Sequence, residues 1–402
     1  MPHDANLIAT LALGLSAALV GGVVAQRLRL PPIVGYLLAG MAIGPSTPGL
    51  VADTKVATEL ADIGVILLMF GVGIHFSIED LLAVRRIAVP GALVQIATTT
   101  GLGLAIANWW GWSFGAALVF GLALSVASTV VLLRTLTQRE DLESEAGHTA
   151  VGWLVVEDLV TVFVLVLLPA LADALGGHAP GSESGNLALD LGTTVAKTVG
   201  FVVLMLVVGI RVIPPALDWI KRSMPRELFI VATLATALGI AYAAAELFDV
   251  SVALGAFLAG IVVNQSSVSH AAAEEALPLR EAFAVLFFVS VGMLVSPSYL
   301  VHNAPRVAVV AAVVILGKAA VGAGVARALG ATRHVASTVA AGLAQIGEFS
   351  FILAEMGRSL GLLSDEGRSL ILAGALVSIS LNPLAFATVD AYERRRARKQ
   401  DG

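Results

Sequence analysis

Glu157 and Asp158 stand side by side in GWLVVEDLVTVFVLVLLP, a run that is otherwise almost wholly apolar. An ionisable group at the centre of a bilayer costs roughly 2.5–3.5 kcal/mol on insertion scales, so acids at that depth mark ion and proton pathways. Neighbours on a helix project about 100° apart. One acid can therefore line a pathway while the other meets a partner helix. Lys318, in VVILGKAAVGAG, is far from either end of its own apolar run and needs a carboxylate partner. The pair so formed can handle protons or simply cross-link two helices, and the residues alone leave both open.

Two further runs are broken by polar residues at mid-length. In AAGLAQIGEFSFILAEMG the interruptions are Gln345, Gly347, Glu348 and Ser350; in FGLALSVASTVVLLRTL they are Ser125, Ser128 and Thr129. Irregular backbone at membrane depth is tolerated only where it lines a cavity. Paired interruptions in corresponding helices point to a transport site. Freed carbonyls and hydroxyls suit a hard cation, and half-helix ends add partial charge. Ser and Thr also bond the preceding turn of ordinary helices, so the pairing carries the reading, not any single residue.

These residues need spanning helices to hold them. Of 402 residues, 57% are apolar and 13% charged, against about 25% charged in soluble domains. Mean hydropathy is +0.90. Lipid must be the solvent, which excludes a soluble protein. Cysteine is absent, which excludes disulfides and thiol chemistry, and a net charge of −5 gives no sign of a nucleic-acid partner. No nucleophile–base pair suggests an enzyme, and no glycine-rich phosphate loop lies in the apolar runs. The seven histidines lie at run ends or in loops without ligand spacing. MPHDAN has no basic region before its apolar run, so that run reads as a first span, not a cleaved signal.

Thirteen spans are predicted, near residues 6–25, 32–46, 57–76, 87–107, 113–136, 149–170, 191–216, 227–245, 250–265, 279–295, 304–327, 334–356 and 367–390. With the N-terminus outside, eighteen of the 24 Lys and Arg fall on the inside and four outside, with Lys197 and Lys318 within spans. That asymmetry predicts N-out, C-in, and an odd span count agrees. The tail ERRRARK reads as an anchor to anionic lipid, and the acidic stretch 172–190 as an outside loop.

LPPIVGYLLAGMAI (Leu30–Ile43) aligns without gaps on VSVALGAFLAGIVV (Val250–Val263) at an offset of 220. Gly35 falls on Gly255 and Gly40 on Gly260; one residue later in register, Val72-Gly73 falls on Val291-Gly292 and Leu81 on Leu300. The matched spans are the second and ninth, and an odd separation makes the copies run in opposite directions, as in inverted-repeat transporters. Small-residue patterns also serve ordinary helix packing. The expected organisation is a first repeat over 1–190 (six spans and the outside loop), a linker span over 191–226, a second repeat over 227–390 and a basic cytoplasmic tail over 391–402.

LRLPPIVGYLLAGMAIGP, ELADIGVILLMFGVGIHFS, ASTVVLLRTL, GWLVVEDL, LFDVSVALGAFLAGIVVN, AFAVLFFVSVGML and LAQIGEFSFIL together resemble the monovalent cation:proton antiporter-2 family, and within it the Kef-type potassium:proton antiporters. The likeness covers nearly the whole chain. It implies an all-α membrane fold of thirteen helices, a sodium/proton-antiporter-like arrangement in which two broken helices cross, and a homodimer in the cell (inner) membrane. The fifth and twelfth spans match the crossing helices. Asp158 matches the family's ion-binding aspartate, the place for a monovalent cation, and Lys318 its core lysine. Gln345 and Glu348 fall in the second crossing helix as charge-compensating or supporting residues. Where the family has Gln, Asn or Asp before the aspartate, this sequence has Glu157, which leaves the proton:cation stoichiometry open. Kef-type proteins continue into a cytoplasmic nucleotide-binding regulatory domain. A nucleotide is expected only on such a domain, and no cofactor within the spans.

The expected activity is exchange of protons for potassium at Asp158 by alternating access, with Thr129, Ser128 and Glu157 completing the site. A sodium:proton antiporter of the same fold, a ligand-gated potassium efflux channel-like system, a non-transporting sensor and a sodium-coupled solute carrier are the rivals. A channel would need a continuous polar pore, whereas the polar points here are few and isolated.

Overall fold

The computed structural model describes residues 3–47, 52–74, 78–178, 187–248 and 250–400. His75 and residues 179–186 of the outside loop lie outside them. The described chain is helical throughout, because lipid offers no partner for free backbone groups. In order come α1 (His3–Arg27), α2 (Pro32–Ile43), α3 (Thr54–Ile74), α4 (Ile78–Trp109), α5 (Phe114–Ser125), α6 (Thr129–Gln138) and α7 (Glu145–Leu171). Next, α8 (Leu187–Leu204) runs through a π-turn into α9 (Ile210–Ser223), followed by α10 (Arg226–Phe248), α11 (Val252–Asn264), α12 (Ser269–Met293) and the short α13 (Pro297–His302). Last, α14 (Ala304–Ala312) passes through a second π-turn, Val313–Gly317, into α15 (Lys318–Ala328), then α16 (Arg333–Leu343), α17 (Glu348–Ser359) and α18 (Asp365–Gln400).

Ten helical stretches among the described residues are long and apolar enough to cross a membrane, α5 with α6 counting as one. The pair α16 and α17, bent by 43°, makes an eleventh, and α2 and α11 are shorter apolar helices. These fall on the thirteen expected spans in the expected order. Their ends differ. The second stops at Ile43, and α8 starts at Leu187, inside the stretch read as loop. The basic tail continues α18 as helix to Gln400.

The helices pack as two groups. α1–α3 pack mainly with α10–α12, and α4–α7 mainly with α14–α18. Each group takes three spans from each half of the chain. Arg139, at the end of α6, forms a two-pronged ion pair with Asp390 of α18 at 2.8 and 2.5 Å, over the Phe386 ring.

Glycines set the spacing in the first group. A Cβ on Gly40 (α2) would strike the Val289 carbonyl of α12, and one on Gly292 (α12) the Leu37 carbonyl of α2. Likewise a Cβ on Gly73 (α3) would strike the Phe257 carbonyl of α11, and one on Gly260 the Phe70 carbonyl of α3. Under the repeat offset Gly40 maps to Gly260 and Gly73 to Gly292, so the α2–α12 contact and the α3–α11 contact exchange. Matched sequence has become matched packing. Backbones this close leave no room for a side chain.

Gly40→Val and Gly260→Val should each destabilise the protein by about 1–3 kcal/mol, the scale of overpacking in a filled core. Gly239→Ala, on an open face of α10 with nothing within 4 Å of the added atom, should not. Thermal unfolding of the detergent-purified protein, followed by tryptophan fluorescence, is the check.

Candidate functional site

The two interrupted spans meet at their breaks. α5 stops at Ser125, Val126 and Ser128 are extended (φ −85° and −86°), and α6 restarts at Thr129 with the Ser128 hydroxyl accepting from Val131 N–H. α16 stops at Leu343, and α17 restarts at Glu348 behind an extended Gly347 (φ −96°, ψ 173°). Gly347 N–H donates to the Val126 carbonyl at 3.1 Å. Gln345 Nε2 donates to the Ser128 carbonyl at 3.0 Å. A Cβ on Gly347 would collide with the Ala127 carbonyl, so the crossing itself demands glycine there. From α18, Ser378 Oγ accepts from Ile346 N–H at 3.2 Å and Asn382 Nδ2 donates to the Ala341 carbonyl at 2.8 Å.

Breaking a helix exposes partial positive charge where the chain restarts and partial negative charge where it stops. The side chains around the crossing follow that rule. On the restarting side, Glu157 Oε2 accepts from Ala127 N–H at 2.9 Å, and Thr129 Oγ1 donates to Asp158 Oδ2 at 2.8 Å. Glu348 occupies the first turn of α17, within hydrogen-bonding reach of Ser128. On the stopping side, Lys318 Nζ donates to the Gln345 carbonyl at 3.0 Å and Gln95 Nε2 to the Ser125 carbonyl at 3.0 Å. Glu157, Lys318, Gln95 and Gln345 are fully buried, and Asp158 and Glu348 are only 5% and 4% exposed.

The neighbouring acids of α7 part company as helical geometry requires. Glu157 turns to the break and feels Lys318 through space. Asp158 turns to a cavity of about 1100 Å³. Lys318 makes no direct ion pair with either; its contact is a backbone carbonyl. It opens α15 directly after the Val313–Gly317 π-turn, a distortion that recurs at functional sites. Thr129 and Glu348 also line the cavity, whereas Ser128, Glu157, Lys318 and Gln345 do not. Arg29, Arg134, Arg280 and Phe288 line it as well. Phe287 and Phe288 of α12 meet Phe351 of α17, with ring centroids 6.3 and 6.5 Å apart across the two helices. Asp158 Oδ1 and Glu348 Oε2 are buried without a hydrogen-bond partner. No group of three His, Asp or Glu side chains suited to a resident metal occurs among the described residues.

Gln95 is the residue the sequence reading missed. It bonds Thr99 at 3.3 Å as well as the Ser125 carbonyl, and it serves the end of α5 as Lys318 serves the other break. Carrying Lys318 back through the repeat offset of 219 lands on Thr99, one turn from Gln95, and that was the available signal.

The model of the transmembrane sodium/hydrogen exchanger family matches residues 14–389. YbaL of Escherichia coli (strain K12), assigned as a cation/proton antiporter, is 52% identical over 98% of this chain and 70% of its own. K(+) efflux antiporter 4 of Arabidopsis thaliana is 31% identical over 96% of this chain and 64% of its own. Among solved structures, the sodium proton antiporter MjNhaP1 of Methanocaldococcus jannaschii superposes with a TM-score of 0.69 at 17% identity, covering 94% of this chain and 96% of that one. At that identity the match speaks for the fold. The chain belongs to the sodium/hydrogen exchanger family of membrane cation/proton antiporters, and its relatives are transporters, not enzymes.

A double-mutant cycle probes the charge pairing. Lys318→Met and Glu157→Gln should each destabilise the purified protein. The pair should cost less than the two added together, with a coupling of about 0.5–3 kcal/mol, the range for groups sharing one network. Additive losses in the melting experiment would mean that Lys318 serves only the Gln345 carbonyl.

Proposed function

We propose that this chain exchanges protons for potassium by alternating access, with Asp158 as the carboxylate for which proton and cation compete. The observation that carries the reading is Asp158 itself. It lines a large cavity, with one oxygen held by Thr129 and the other without a partner. A carboxylate so placed takes a proton or a dehydrated cation, never both, and competition for one group couples two fluxes. Thr129 supplies a hydroxyl beside the ion, and Ser128 supports the site from behind. Lys318 balances Glu157 and caps a half-helix, so the crossing stays intact while the charge at Asp158 changes.

The cavity wall includes Arg29, Arg134 and Arg280, residues that the charge asymmetry assigns to the cytoplasmic side. This supports an inward-open state, with the Phe287–Phe288–Phe351 cluster as the barrier to the outside. Alternating access then moves the α4–α7 and α14–α18 group, which carries the site, against the other group. A channel would need the cavity to continue past those rings. Potassium is favoured by the Kef-type resemblance and by the relative named as a potassium efflux antiporter; sodium is the alternative.

The same reading takes 1–190 and 227–390 as the inverted copies, 191–226 as the linker and 391–402 as a cytoplasmic tail. It places a homodimer in the inner membrane, with the N-terminus outside. Ion gradients supply the driving force, so the exchange calls for no cofactor on these helices.

In proteoliposomes holding a pH dye and an imposed proton gradient, added potassium should collapse the gradient with the wild-type chain. Asp158→Asn should behave like empty vesicles. Coupled exchange that survives Asp158→Asn would sink the assignment, and a stronger response to sodium would replace the cation.

A further inference from the structure

We infer that Glu348 is a second exchanging carboxylate, so that two protons leave for each monovalent cation bound and one net charge crosses the membrane per cycle. This rests on the antiport reading above and adds a ligand and a stoichiometry to it.

Three observations converge. First, Glu348 and Asp158 line the same cavity, one on α17 and one on α7. Each is at least nine-tenths buried and carries one oxygen with no hydrogen-bond partner. The wall of one cavity thus holds two carboxylates with spare acceptor capacity and the Thr129 hydroxyl, a ligand set for a hard cation.

Second, Glu348 has no counter-charge of its own. Lys318 spends its direct bond on the Gln345 carbonyl and its field on Glu157. What Glu348 meets is its own backbone N–H and Ser128, and no described basic side chain pairs with it. A buried carboxylate without a permanent partner must hold a proton or a mobile cation. Glu157 also leaves one oxygen unpartnered, but it has the Lys318 ammonium for a counter-charge and the Ala127 N–H, and it does not line the cavity.

Third, the two carboxylates of the cavity are close enough to sense one another. Both stand against adjacent residues at one break: Thr129 bonds Asp158 at 2.8 Å, and Ser128, the residue before it, is the side chain that reaches Glu348. Two like charges at that range cannot both stand ionised and empty. A cation between them resolves the repulsion, and so does protonation.

The balance is simple. As the cation enters, the O–H bonds of Asp158 and Glu348 break, and both protons pass to water in the cavity. The loaded site is two carboxylates and one monovalent cation, carrying one negative charge. The return leg carries two carboxylic acids and no charge. If Glu348 instead kept its proton throughout, exchange would be one for one and electrically silent.

Rubidium-86 binding and dye-reported proton release, measured together on the purified full chain in detergent at mildly acidic pH, decide between the two. The wild type should release two protons per bound ion, Glu348→Gln one, and Glu348→Asp two. In vesicles, an imposed membrane potential should drive wild-type exchange and leave Glu348→Gln indifferent. One proton per ion in the wild type, with no response to potential, overturns the inference and leaves antiport at Asp158 standing. Two protons from Glu348→Gln also overturns it. If Glu348→Gln cannot be purified, the wild-type ratio and Glu348→Asp still decide. A wild type that binds neither rubidium nor sodium removes both readings.

Discussion

The rest of this structure answers one problem: two helices are broken in the middle of an apolar layer. Each break frees backbone groups that lipid cannot satisfy. The solution is to cross the breaks so that each serves the other, through Gly347 N–H on the Val126 carbonyl and the Gln345 amide on the Ser128 carbonyl. What the backbones cannot settle between themselves falls to neighbours. Glu157 takes the Ala127 N–H, Lys318 and Gln95 take terminal carbonyls, and α18 contributes Ser378 and Asn382. Unlike signs meet at every one of these contacts. The site is thus a by-product of backbone satisfaction, and Asp158 and Glu348, the two acids of the crossing that line the cavity, each keep one oxygen unpartnered.

The division into two helix groups follows from how each is held. Around α2, α3, α11 and α12 the backbones touch at glycines, and the contact is dense and unpolarised. Around the crossing, polar bonds and buried charge set the positions. A group joined by close backbone contact suits a stationary frame. A group whose internal bonds form a closed network can shift as a unit without losing any of them.

Much of this was legible in the residues. Span number and order followed from apolar length, and the breaks from Ser, Thr and Gly interrupting two runs at mid-length. The repeat followed from LAG recurring at one register, and the packing of Gly40 on Gly292 and Gly73 on Gly260 gave it spatial meaning. The partner of Lys318 was not legible. A carboxylate was expected, and the ammonium bonds a carbonyl that exists as a free acceptor only because a helix stops there. Which of Glu157 and Asp158 faces the cavity was equally hidden, since helical spacing separates them without saying which way either points. Gln95 escaped because an amide in an apolar helix looks like a minor polar point until the fold sets it on the Ser125 carbonyl. The run around Glu348 shows a break in the sequence but not the cavity beside it.

Gln95 and Lys318 do the same job at the two breaks, each donating to a carbonyl where a helix stops, but one is neutral and the other a cation. The two arms of the crossing are thus alike in hydrogen bonding and unlike in charge, so a site assembled from matching parts has a built-in electrical polarity.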